Sequence, residues 1–106
     1  MLRLSLLLLA FPVMALAADP VEVNLAIRDH RFDPAELHVP AGQKIRLIVE
    51  NKDSTPEEFE SHELNREKVI PGNTKSPLYI GPLQPGRYHF FGDFNPKTAQ
   101  GDIVAE

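Results

Sequence analysis

The chain has 106 residues, 42% of them apolar and 25% charged, which is the composition of one soluble globular domain and leaves no room for two. Its net charge is −4, or −5 without the N-terminal segment that carries Arg3, and no run of lysine and arginine forms a stripe, so nucleic acid is not an expected partner. Cysteine is absent, which excludes disulfides, thiolate metal ligands and a cysteine nucleophile.

Residues 1–17 open with Arg3, run apolar from Leu4 to Leu16 and end in Ala15-Leu16-Ala17, the small-x-small pattern that signal peptidase reads. A cleaved secretory signal is expected, with a mature domain over 18–106. The run is short and broken by Pro12, whereas a membrane span needs about 20 apolar residues. No cysteine follows the cleavage site to carry a lipid anchor.

Ten prolines and six glycines, spread rather than clustered, favour short strands and frequent turns over long helices. Val21, Val23, Leu25 and Ile27 alternate with Glu22, Asn24 and Ala26, the period of a strand with one buried face. Arg28 to Arg31 breaks that alternation. Pro34, Pro40 and Gly42 bracket a very short strand around Leu37 and Val39, with prolines at its corners. Ile45, Leu47 and Val49 mark the clearest strand, from Lys44 to Glu50. Asn51 to Pro56 reads as a loop. Val69-Ile70 leads to the turn Pro71-Gly72-Asn73, then come strands over Lys75–Ile80, Arg87–Gly92 and Gly101–Ala105, with a loop from Asp93 to Gln100. About seven short strands separated by turns predict an all-β sandwich.

One stretch, Pro56 to Glu67, concentrates five carboxylates and one of the four histidines. Its conformation is open at this level. Thr55-Pro56-Glu57-Glu58 has the form of a helix capping box, while Phe59 suits an extended segment with Glu58, Glu60 and His62 alternating on the opposite face. An acidic loop that only keeps the protein soluble is the plainer alternative. No serine sits in a nucleophile elbow and no glycine-rich phosphate loop occurs.

Three features together resemble the cupredoxin fold, a Greek-key β-sandwich. They are Phe32-x-Pro34 followed by Val39-Pro-Ala-Gly42 and a strand ending in Asn51, then Gly86-x-Tyr88-x-Phe90, then Gly101-Asp-Ile-Val104. Within that fold, Glu57-Glu-Phe-Glu-Ser-His-Glu-Leu64, Arg66-Glu-Lys-Val-Ile-Pro-Gly72, Phe90-Phe-Gly-Asp-Phe94 and Thr98-Ala-Gln-Gly101 resemble the cupredoxin-like proteins of bacterial periplasmic iron permease systems. The blue-copper pattern of the fold places a histidine near Glu57, a cysteine near Gly92, a second histidine near Asn95 and a methionine near Gln100. All four are replaced here, so no blue-copper centre is expected. That centre depends on His₂Cys with a long axial Met.

Without soft ligands, a bound metal must be held by oxygen and imidazole. The resemblance implies that the loop after the Asn51 strand and the loop after the Gly86 strand share one end of the sandwich. The expected ligands are therefore Glu58, Glu60, His62 and Asp93, with Glu57, Glu63 and Glu67 as carboxylates that either support the ligands from behind or line the rim. His30 and His38 read as surface residues, and His89 as pointing away from the face of Tyr88 and Phe90. Phe91 and Phe94 are candidates for screening the site from water. The resemblance implies a periplasmic metal-handling protein of an iron uptake system. It would bind iron or copper, assist ferrous oxidation and pass iron to an iron permease or another periplasmic component. The alternative is a non-catalytic acidic adaptor that docks a basic partner protein.

Overall fold

A computed structural model describes Ser5 and residues 18–106 of the chain. The secretory segment expected over residues 1–17 lies, Ser5 apart, outside the described residues, among which no helix is long and apolar enough to cross a membrane. Among the described residues nine strands run in order: β1 (Val21–Arg28), β2 (Arg31–Asp33), β3 (Glu36–Val39), β4 (Ile45–Asn51), β5 (Glu57–Ser61), β6 (Arg66–Ile70), β7 (Thr74–Ile80), β8 (Gly86–Gly92) and β9 (Gln100–Ala105). They form two sheets, ordered β2-β1-β4-β7 and β3-β9-β8-β5-β6. The sequence pattern gave about seven because it did not separate β2, and because β5 lay in the stretch of open conformation.

β4 shows why the alternating segments fold as they do. Ile45, Leu47, Val49 and Asn51 are buried while the residues between them are half-buried, so the strand presents an apolar face, ended by Asn51, to the opposite sheet. Pro77 interrupts β7 without breaking a central ladder, because β7 is an edge strand. Between the sheets, Phe59 and Phe90 stack at 5.1 Å and Phe32 meets Phe90 edge-on at 4.9 Å. Each buried Phe contributes about 1.5–3 kcal/mol by removal from water, and this trio sits directly beneath β5.

The break at Arg28–Arg31 is a tight hairpin. Asp29 and His30 both take positive φ, at 53° and 57°, a conformation that glycine or asparagine adopts more easily. Asp53 holds it: one carboxylate oxygen accepts from Asp29 N–H at 2.8 Å and the other from His30 N–H at 3.0 Å. The His30 amide, then that of Asp29, keep the Asp53 carboxyl below its ordinary value against some desolvation. Asp53→Ala is expected to cost about 1–2 kcal/mol, at the modest end for charged hydrogen bonds because water reaches the turn. A lowered carboxyl pKa stabilises the fold in full above the unfolded value, about 4, and the gain disappears as pH falls through the folded value. Urea midpoints of wild type and variant should therefore converge below about pH 4; a gap that persists at pH 2 would contradict this assignment.

Candidate metal centre

β5 is a strand, and its pairing explains why the helical alternative loses. It lies between β6 and β8, with Glu60 opposite Glu67 on one side and Phe91 on the other. β6 pairs with all of β5 and β8 with Phe59 and Glu60, and Phe59 is fully buried between the sheets. A helical turn would forfeit both. Period-2 geometry then sorts the acidic residues: Glu57, Phe59 and Ser61 face inward, Glu58 and Glu60 outward.

Asp93 follows β8, and its N–H donates to Glu58 C=O at 2.9 Å. Glu58, Glu60 and Asp93 each offer an oxygen within 4.8 Å of the others. A cation with metal–oxygen bonds of about 2.0–2.6 Å bridges such a set after small side-chain adjustments. Partial burial, followed by the charges of Glu67, Asp93, Glu60 and Glu57, raises the Glu58 carboxyl above its ordinary value.

Among the described residues no lysine or arginine pairs with Glu58, Glu60, Glu67 or Asp93. The two cations of β6 turn away: Arg66 Nε donates to Tyr79 C=O and Lys68 Nζ to Pro77 C=O, where they cover the open edge of β7.

Of the four expected ligands, three converge and His62 does not join them. The histidine falls in the β5–β6 turn, 79% exposed, with Nδ1 3.9 Å from Glu60 Oε1 and its ring 5.4 Å from that of Phe91. Glu67 sits across the β5–β6 pair from Glu60. Glu63 instead accepts from His89 N–H at 3.2 Å, and Ser61 Oγ donates to His89 C=O at 2.6 Å, so these two side chains replace the ladder where β5 and β8 diverge.

His89 faces outward, as its alternation with Phe90 implied. Its Nδ1 lies 3.0 Å from Asp102 Oδ1 and its Nε2 2.6 Å from Gln100 Oε1. Gln100 Nε2 donates to Pro96 C=O, which turns the amide oxygen toward the ring. Hydrogen bonding to Asp102 raises the His89 pKa above its ordinary value against partial desolvation, with Gln100 adding to the rise. Phe91 packs between His62 and His89. Phe94 is 48% exposed and does not screen the cluster.

Of the two positions expected for Glu57, the structure shows the one behind the ligands. Glu57 is 1% exposed rather than on the rim. Its Oε1 accepts from Glu58 N–H at 3.0 Å and Phe94 N–H at 2.9 Å, and its Oε2 from Asn95 Nδ2 at 2.6 Å. The alternation that put Phe59 inward was the available signal, since Glu57 shares its face. A thiolate centre between residues 57, 92 and 95 does not fit. A Cβ on Gly92 would lie 2.6 Å from Glu57 Cδ and 2.7 Å from Ala99 Cβ. The space is already filled by this chain's own carboxylate.

Two sheets of this topology with the candidate site at the end of β5 and β8 define a cupredoxin-like β-sandwich. The cupredoxin-like domain family matches residues 1–105, and the chain belongs to that family. It is 49% identical over 84 residues to the uncharacterized protein RP394 of Rickettsia prowazekii (strain Madrid E), covering 79% of this chain and 67% of that protein. Among solved structures it is similar to a chain of a heme-copper terminal oxidase dimer, with TM-score 0.67, 22% identity and coverage of 81% of this chain and 65% of that one. It thus spans about two thirds of both proteins. Auracyanin A, a blue copper protein from Chloroflexus aurantiacus, matches with TM-score 0.70 and 16% identity over 83% of this chain and 100% of its own. At these identities the structural likenesses establish the fold.

Proposed function

We propose that this chain is an exported, periplasmic metal-handling protein of an iron uptake system. It takes an oxygen-preferring cation as cargo at Glu58, Glu60 and Asp93 and passes it to an iron permease or another component of that system. The observation that carries this reading is the meeting of three carboxylates from β5 and the β8–β9 loop with no lysine or arginine, among the described residues, paired to them. An external cation is the missing counter-charge. Carboxylate donors suit iron or Cu(II) better than Cu(I), which prefers sulfur. Exposed His62, beside Glu60, swings in as a further ligand. The iron system itself is inferred from the resemblance of the Glu57–Leu64, Arg66–Gly72 and Phe90–Phe94 segments. Oxidising ferrous cargo removes one electron that no side chain at the site accepts, so that step requires copper or another acceptor.

An acidic docking module is the second reading, favoured by Val69 and Phe94, each 48% exposed beside the cluster. Apolar anchors within a charged surface are typical of interfaces. Anaerobic calorimetric titration of the mature protein with Fe(II), then Cu(II), separates the two. Saturable heat is expected with at least one ion. No heat with either would sink the metal reading and leave the docking surface, whose partner binding should weaken with salt whether or not metal is present.

A further inference from the structure

The one carboxylate of the acidic stretch that cannot reach a cation from solvent is Glu57, and burying a carboxylate is costly unless its hydrogen bonds are satisfied. All three of its donors matter to the outer site. Glu58 N–H belongs to a proposed ligand, Phe94 N–H follows Asp93 directly, and Asn95 Nδ2 comes from the residue whose C=O accepts from Thr98 and Ala99 N–H to shape the β8–β9 loop. One oxygen, Oε1, receives both the Glu58 and the Phe94 amide, so the backbone on either side of the site is tied to a single atom.

We infer that Glu57 is a positioning residue. Its buried carboxylate clamps the β8–β9 loop to β5 and thereby sets the spacing of Asp93 from Glu58 and Glu60 before any cation arrives. This rests on the cargo site proposed above. β5 and β8 share only two register pairs, Phe59 with Gly92 and Glu60 with Phe91. Beyond Gly92 the loop is attached to β5 by the Asp93 N–H bond to Glu58 C=O and by the bonds to Glu57. Removing the carboxylate leaves the loop around Asp93 tied to β5 by one backbone bond. A cation must then order that loop at the expense of affinity, which is why residues that orient ligands are worth about 10–100-fold in metal affinity.

The test uses the mature protein titrated anaerobically with Fe(II), with amide hydrogen exchange followed at Phe94 and Glu58. Glu57→Ala is expected to bind Fe(II) about 10–100-fold more weakly and to lose protection at Phe94, at temperatures where its far-UV spectrum remains that of folded wild type. Glu57→Gln keeps an oxygen for both amides and should restore most of the affinity, with the Asn95 amide flipped to accept. Glu57→Asp keeps the charge but is one methylene shorter, so it should bind weakly even if the alanine variant does not fold. A purely structural role would lower the melting temperature of these variants and leave the affinity of the folded protein unchanged, and that result overturns the inference. If wild type itself takes no Fe(II), the cargo site falls and the positioning role with it. Undiminished affinity in Glu57→Asp beside a binding wild type overturns the positioning role alone.

Discussion

Replacing Glu58 and Asp93 together with alanine is expected to abolish Fe(II) binding while leaving the metal-free domain at least as stable as wild type. The reason is electrostatic. In the metal-free state these carboxylates crowd Glu60, Glu67 and one another, and Glu58 is raised above its ordinary value by partial burial and by those neighbours. A carboxyl raised on folding releases its proton later in the native state than in the unfolded one, so stability falls as pH rises through that interval. The double variant lacks this slope.

Metal reverses the sign for wild type. A cation that binds only the native state at about a hundred times its dissociation constant adds about 2.7 kcal/mol, and the double variant should gain nothing. Melting curves with and without Fe(II) under argon, run on both proteins, read both effects at once. A variant that retains the Fe(II)-dependent shift would remove Glu58 and Asp93 from the site. One that melts well below metal-free wild type would mean that these carboxylates serve the fold instead.

The second large effect is on the fold beneath the site. Gly92→Ala places a Cβ 2.6 Å from Glu57 Cδ, 2.7 Å from Ala99 Cβ and 2.8 Å from Glu57 Oε1. Overpacking of this kind costs about 1–3 kcal/mol, and displacing Glu57 from its donors adds about 1.5–3 kcal/mol for charged hydrogen bonds. Together these approach the lower bound of about 5 kcal/mol for the whole stability of a small domain, and this one has no disulfide to support it. Urea unfolding should show a loss above about 3 kcal/mol, and part of it should be recovered in the Glu57→Ala background, where the obstructing carboxylate is gone. A Gly92→Ala protein within about 1 kcal/mol of wild type would show that Glu57 and Ala99 relax easily, and that the filled space is not the obstacle to a side chain at 92.

Much of this was legible in the sequence where the physics is local. Val21–Ile27 and Lys44–Glu50 announce strands through alternation, and β1 and β4 are those strands, shifted by a residue at their ends. Pro34 marks the passage from β2 in one sheet to β3 in the other. The acidic stretch was identifiable as the place to look, because it holds five carboxylates and a histidine within twelve residues. Where local signals conflicted they did not decide, and the capping box at Thr55–Glu58 and the apolar demand of Phe59 were of comparable weight.

Composition alone determined that the chain carries no thiol chemistry. Hydrophobic period determined that it is built of short strands, since burying one face of a strand requires apolar residues at every second position. Only the tertiary structure decided which carboxylates belong together. β5 acquires two neighbours, β6 across a short turn and β8 far along the chain, and that pairing turns Glu58 and Glu60 out beside Asp93, turns Glu57 in beneath Asn95, and leaves His62 in a turn. Cross-strand register and buried hydrogen bonding act between residues that the sequence keeps more than thirty positions apart, as with Glu57 and Asn95, and no local pattern in the chain encodes that meeting.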